Sequence, residues 1–283
     1  MKGMVIKMIK VHILTDDRVR RRGLLAEHGL SLLIEKDDKR ILFDTGQSSV
    51  YCHNAKTMGL NLEDIDYIVI SHGHYDHCGG LKCFPYKGKA PAIHVHPNAF
   101  LKKLASTDKD EPSREVGIPF DISEYDWIND KIVYNKQPLE IDKGIILSGE
   151  IPCTNTFEEA PRNFYFEKEG KVSRDFMVDE QMLIIEDEGD IAIFLGCSHP
   201  GVINSLEYAR KLCPDKNIKL LVAGMHLDNV STTRLQMTIE KFQDMNIQKV
   251  VPLHCTGFNP MCEVKHSLAD RCYLMCTGDT IEI

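Results

Sequence analysis

The hydrophobic positions of this chain fall in short blocks separated by charged or glycine-containing punctuation, the pattern of a protein built largely from buried strands. Residues 4–14 are rich in Val, Ile and Leu. The segment Met1–Lys10 carries Lys2, Lys7 and Lys10 and reads as the opening strand, too short and too interrupted for a signal peptide or a membrane span. Leu30-Ser31-Leu32-Leu33-Ile34-Glu35 and Arg40-Ile41-Leu42-Phe43-Asp44 flank the charged turn Lys36-Asp37-Asp38-Lys39 and predict a hairpin. Further apolar runs predict strands over 67–70, 92–97, 145–152, 181–186, 191–195, 218–223 and 249–257. Helical signals cover Ser48–Met58 ahead of Gly59, then Val202, Ile203, Leu206 and Ala209 after Pro200, then Leu235, Ile239 and Phe242 behind the cap residue Ser231.

Hairpin strands followed by alternating strand and helix fit an α/β chain folded as two mixed β-sheets between outer helices, a four-layer αββα sandwich. A single domain is expected over 1–283. Insertions near 98–144, with the sole Trp127, and 153–178, with Phe157, Phe164, Tyr165, Phe166 and Phe176 among charges, are placed to cap a site.

Composition narrows the function classes. With 43% hydrophobic and 27% charged residues over 283 positions the chain has an ordinary soluble balance, and its net charge of −8 argues against a general nucleic-acid binder. Ten cysteines, no secretion signal and no Cys-x-x-Cys pair point to reduced thiols in the cytoplasm rather than disulfides or a zinc ribbon. No membrane partner is expected. The oligomeric state is left open.

The chemistry concentrates in Ser71-His72-Gly73-His74-Tyr75-Asp76-His77-Cys78-Gly79-Gly80, directly after the apolar run Tyr67–Ile70. Imidazole nitrogen and carboxylate oxygen are the usual ligands of divalent cations, and two His one residue apart converge when the backbone leaves a strand. His72 and His74 would then hold one metal, and Asp76 and His77 would face a neighbouring one roughly 3.5–4 Å away.

This string resembles the His-x-His-x-Asp-His signature of the metallo-β-lactamase superfamily. Asp44-Thr45-Gly46 resembles that family's first motif, in which a strand-end acid supports the metal loop, and His254 in Pro252-Leu253-His254-Cys255-Thr256-Gly257 resembles its final ligand. Gly149-Glu150 stands where most members carry a His ligand, and Gly196-Cys197 where they carry a bridging Asp, with His199 two residues on. Glu150, Cys197 and His199 therefore compete to complete the shell, Cys197 either as a bridging thiolate or as a small buried hydrophobe. The motifs around His28, Glu150, His199 and His226 are similar to the branch related to 7,8-dihydropterin-6-methyl-4-(β-D-ribofuranosyl)aminobenzene-5′-phosphate synthase.

The resemblance implies a metal-dependent hydrolase with two divalent cations, zinc by default and iron or manganese as alternatives, acting on an ester, phosphoester or related bond of a small molecule. Asp76 would orient the attacking water, and His226, His28 or Glu150 would transfer a proton. His28 would line the pocket, and Arg162 and Arg174 would meet a carboxylate or phosphate on the substrate. Two other readings stay open: a pterin or phosphoribosyl-related synthase, and a metal-containing ligand sensor without turnover.

Overall fold

The computed structural model describes residues 8–87, 89–106 and 112–283. Of the segment expected to open the chain, Met1–Lys7 lies outside the described residues, and the first strand is Ile9–Thr15. One sheet of seven strands runs in the order Thr280–Glu282, Ile9–Thr15, Ser31–Lys36, Lys39–Phe43, Tyr67–Val69, Ala92–Val95, Ile132–Tyr134. Its first part is antiparallel through the expected hairpin, with Ile34 opposite Ile41; from Lys39–Phe43 onward the neighbours are parallel. A second sheet of six strands runs Lys249–Leu253, Ile218–Gly224, Asp190–Leu195, Leu183–Asp187, Ile145–Leu147, Leu139–Asp142 and is also mixed.

The period-2 alternation of buried strands divides the apolar residues among three layers. Along Asp190–Leu195, Ala192 and Phe194 face the other sheet, packing in one cluster with Val11, Ile13, Leu32, Phe43 and Val222. Ile191, Ile193 and Leu195 face the opposite way, onto Val202, Ile203 and Leu206 of the helix Val202–Leu212 and onto Phe242 of the helix Thr232–Asp244. On the outer side of the first sheet, Leu33, Leu42 and Ile68 pack under Tyr51 and Ala55 of the helix Val50–Thr57. Helix, sheet, sheet and helix are thus separated by three apolar layers, the αββα sandwich.

The two insertions are joined by strand pairing. Residues 153–178 contain the hairpin Phe164–Lys168 and Lys171–Arg174, and its first strand pairs with Lys102–Ala105 of the earlier insertion, Phe164 opposite Ala105. With Arg114–Glu115 they form a third sheet of four strands. Lys103, nearly wholly buried, ties this sheet down: its Nζ lies 2.6 Å from Asp175 Oδ2 and 2.9 Å from Asp179 Oδ1, and Asp179 Oδ2 accepts the Gly73 N–H at 2.9 Å. The strand expected over 145–152 is only Ile145–Leu147, because Gly149 at φ 65° turns the chain out of the sheet.

Candidate metal centre

Strand ends build the site. Tyr67–Val69 delivers Ser71 to His74, and the short helix Tyr75–Cys78 then presents Asp76 and His77. The turn between them is tight: a Cβ on Gly73 would lie 2.0 Å from the Ala99 carbonyl oxygen. Asp190–Leu195 ends just before Cys197 and His199, Ile218–Gly224 before His226, and Lys249–Leu253 before His254. Asp44, Ser198, His226 and His254 adopt φ of 57°, 58°, 46° and 48°, a left-handed region that costs a side-chain-bearing residue roughly 1–3 kcal/mol and clusters at functional sites.

Two donor groups result. In the first, His72 Nε2 lies 3.1 Å from His74 Nδ1, and the ligand atoms of His72, Cys197 and His199 lie within 4.8 Å of one another. In the second, the ligand atoms of Asp76, His77, Cys197 and His254 lie within the same limit, with Asp76 Oδ2 at 3.2 Å from His254 Nε2 and His77 Nε2 at 3.1 Å from the Cys197 sulfur. Cys197 belongs to both groups.

The far nitrogens explain why these rings point inward. His77 Nδ1 lies 2.7 Å from Asp44 Oδ2, His199 Nδ1 lies 2.7 Å from Glu180 Oε2, and His254 Nδ1 lies 2.6 Å from Asp17 Oδ1. His72 Nδ1 meets the Ser71 hydroxyl at 2.9 Å, which itself donates to Asp44 Oδ2 at 2.7 Å. An acceptor on Nδ1 keeps the proton there and leaves the Nε2 lone pair of each ring aimed at the centre, the arrangement that orients metal-binding imidazoles. Nε2 of His254, although 3.2 Å from Asp76 Oδ2, is buried without a well-aligned hydrogen bond. The donor set therefore fits divalent metal binding.

The charges agree. Burial by itself would raise Asp76, but His77, His254 and His74 outweigh it and hold the carboxyl well below its ordinary range. Burial would lower His77 and His254 as well; Asp76 and Asp44 around the first, and Cys255, Asp17 and Asp76 around the second, reverse it and raise both. Among the imidazoles of the first group, burial followed by neighbouring imidazoles lowers His72, and burial followed by His199 lowers His74. Burial likewise pushes the Cys197 thiol up.

The other expected site residues divide. His28 stands at the mouth, its side chain 53% exposed, with Nε2 at 3.3 Å from Asp76 Oδ2 and Nδ1 at 3.0 Å from Asp17 Oδ2. His226 is brought in: its ring centroid lies 4.8 Å from that of His199. Glu150 is not brought in. Its exposed carboxylate lies 3.1 Å from His96 Nε2, because the turn at Gly149 carries it away from the strand end. Arg162 is exposed and paired with Glu159. Arg174 shares a face with Tyr165, opposite to Phe164, and stacks on Phe176 at 4.7 Å.

Several residues of the site were not singled out in the sequence. Asp17 and Glu180 carry strong roles: Glu180 accepts the N–H groups of Cys197 at 3.0 Å, of Ser198, and of His199 at 2.8 Å, besides the His199 ring. Phe164, by contrast, was named with the aromatics of the 153–178 insertion, and it lays its ring 4.7 Å from His74 and 5.5 Å from His199. The available signal was an acid pair at each strand boundary, Asp16-Asp17 and Asp179-Glu180, which alone is indistinguishable from a turn.

The model of the metallo-beta-lactamase superfamily matches residues 25–154. The chain is 36% identical over 261 residues to the uncharacterized protein MJ0448 of Methanocaldococcus jannaschii, covering 91% of this chain and 93% of that one. It is 30% identical over 263 residues to 7,8-dihydropterin-6-methyl-4-(beta-D-ribofuranosyl)-aminobenzene-5'-phosphate synthase of the same organism, covering 88% of each. Among solved structures it is similar to Tm1679, described as a metal-dependent hydrolase of the beta-lactamase superfamily, with a TM-score of 0.82, 27% identity and coverage of 97% of this chain and 99% of that one. The chain belongs to the metallo-β-lactamase superfamily. Among the described residues no helix is long and apolar enough to cross a membrane.

Proposed function

We propose that this protein is a metal-dependent hydrolase with a dinuclear centre, in which His72, His74 and His199 hold one cation, Asp76, His77 and His254 hold the other, and Cys197 stands between them. The observation that carries the reading is the set of four imidazoles whose Nδ1 atoms are each held by an acceptor, so that their Nε2 atoms converge. The mixture of imidazole, carboxylate and thiol donors suits zinc first, with iron or manganese as alternatives.

Bound cations would supply Lewis acidity and lower the pKa of a water to near neutrality. The residues do the rest. Asp76 orients the nucleophile, His28 at the mouth is in reach of Asp76, and His226 beside His199 is the candidate for proton delivery to the leaving group. Phe164 covers the His74 side and excludes water there, so the third sheet acts as the cap. Glu150 has no place in this ligand set, and Arg162 and Arg174 have none in substrate binding. The substrate is a small molecule, and the name of the synthase relative favours a phosphorylated one. That relative also supports the second reading, a synthase in which the same cations organise a phosphorylated sugar for condensation.

Metal content per chain tests the proposal, measured by elemental analysis on protein purified without chelator. About two equivalents are expected in the wild type, with loss in His72→Ala and His199→Ala and none in Glu150→Ala. Absence of stoichiometric metal, or its loss in Glu150→Ala with His199→Ala unaffected, refutes the ligand set. Release of product from phosphodiesters, lactones and thioesters then separates hydrolase from synthase.

A further inference from the structure

Cys255 has no part in the ligand set above, yet it sits against it. The strands Asp190–Leu195, Ile218–Gly224 and Lys249–Leu253 are parallel neighbours, so Cys197 and Cys255 emerge on either side of the central strand, which ends at Gly224. A side chain at Gly224 would stand between them: its Cβ would lie 2.9 Å from the Cys255 sulfur and 2.2 Å from the Gly196 carbonyl oxygen. With glycine there, Cys255 crosses the strand end. Its sulfur comes to 3.6 Å from the Cys197 carbonyl oxygen, and the two sulfurs and a His226 ring nitrogen lie within 4.8 Å of one another. Cys197 is 3% exposed, whereas Cys255 is the more exposed residue of the two, only partly buried.

We propose that Cys197 and Cys255 form an oxidisable pair, a modification site at which a hydroperoxide produces an intrachain disulfide. Cys255, the more exposed residue of the two, reacts first: its sulfur takes the terminal hydroxyl of the hydroperoxide, the O–O bond breaks, the alcohol (or water, from hydrogen peroxide) leaves with the thiol proton, and a sulfenic acid results. The Cys197 sulfur then attacks the Cys255 sulfur; the S–S bond forms, the S–O bond breaks, and the hydroxyl departs as water with the Cys197 proton. The two thiols lose two electrons and the peroxide gains them. The sulfurs must approach to about 2.05 Å, which side-chain rotation toward each other has to supply. A disulfide removes the sulfur shared by the two donor groups, so oxidation and metal loading compete; this consequence rests on the proposed role of Cys197 as a ligand, while the disulfide itself does not.

The test uses the full chain, metal-stripped and zinc-loaded, exposed to hydrogen peroxide, alkylated and mapped by mass spectrometry without reduction. A linked peptide pair containing Cys197 and Cys255, lighter by two hydrogens and reopened by dithiothreitol, is expected in the stripped protein, together with its absence in Cys255→Ser. Zinc is expected to slow the linkage at least about tenfold by occupying Cys197. Oxidation confined to the exposed Cys153 and Cys262, a Cys52–Cys83 link alone, or sulfinic acid at Cys255 without a link overturns the proposal. The map is read on the wild type, so a misfolded variant does not blunt it. A link that forms equally fast with zinc bound leaves the disulfide standing and refutes Cys197 as a ligand.

Discussion

Replacing Glu180 by Gln removes one negative charge and one acceptor oxygen while keeping the volume. Glu180 Oε1 accepts the N–H groups of Cys197 and Ser198, and Oε2 accepts the His199 N–H and the His199 ring. A glutamine has one carbonyl oxygen, so whichever way the amide turns, at least one buried N–H faces an NH2 group. At about 1–3 kcal/mol for each orphaned donor, the loss is about 2–6 kcal/mol if the NH2 group faces Cys197 and Ser198, and about 1–3 kcal/mol if it faces His199, whose ring can turn acceptor. If the NH2 group faces His199, the imidazole must accept at Nδ1 and carry its proton on Nε2, the nitrogen aimed at the centre. Loss of such a partner typically lowers metal affinity 10–100-fold. Urea unfolding of the metal-free protein measures the first effect through a lowered midpoint with an unchanged slope, and competition with a chromophoric chelator measures the second. A variant with wild-type midpoint and wild-type zinc affinity would refute the argument that the Nδ1 anchors build this centre.

Gly73→Ala is expected to fall by about 1–3 kcal/mol or more through overpacking, because the new methyl meets a backbone oxygen that cannot swing aside; a melting temperature within a degree of wild type would count against the tight turn. Lys103→Met leaves Asp175 and Asp179 buried without their cation, at about 3–5 kcal/mol for breaking such a cluster; in chemical denaturation a midpoint equal to wild type would contradict it. Zinc affinity is expected to fall steadily as pH drops through the raised values of His77 and His254, since a proton on Nε2 excludes the metal and binding must release it. Titrations showing an affinity independent of pH between about 8 and 6, on either side of the ordinary imidazole pKa, would exclude imidazole ligands at these positions.

The parts of the centre that are contiguous were legible in the chain. His72, His74, Asp76 and His77 fall within six positions after a buried strand, and that local spacing is enough to gather candidate ligands in one loop. The strands and helices were legible for a similar reason. Ile191, Ile193 and Leu195 alternate with Ala192 and Phe194, so the two faces of one strand are written in consecutive residues. The insertions were not, because Phe164–Lys168 finds its partner in Lys102–Ala105 some sixty positions earlier, a pairing that no local pattern encodes.

What the sequence by itself determined is therefore the layered α/β architecture and the core of the metal loop, since both rest on periodicity and short-range spacing. The tertiary structure alone decided which of the distant candidates meet. It set Glu150 on the surface against His96, joined Cys197 and His199 to His72, and supplied Asp17 and Glu180 as anchors of two imidazoles beside Asp44, which the first motif already marked. The physical reason is that a ligand needs both a chemical type and a direction. Type is carried by the residue, whereas direction is set by a turn at Gly149, a left-handed Ser198, or a carboxylate delivered from another strand end.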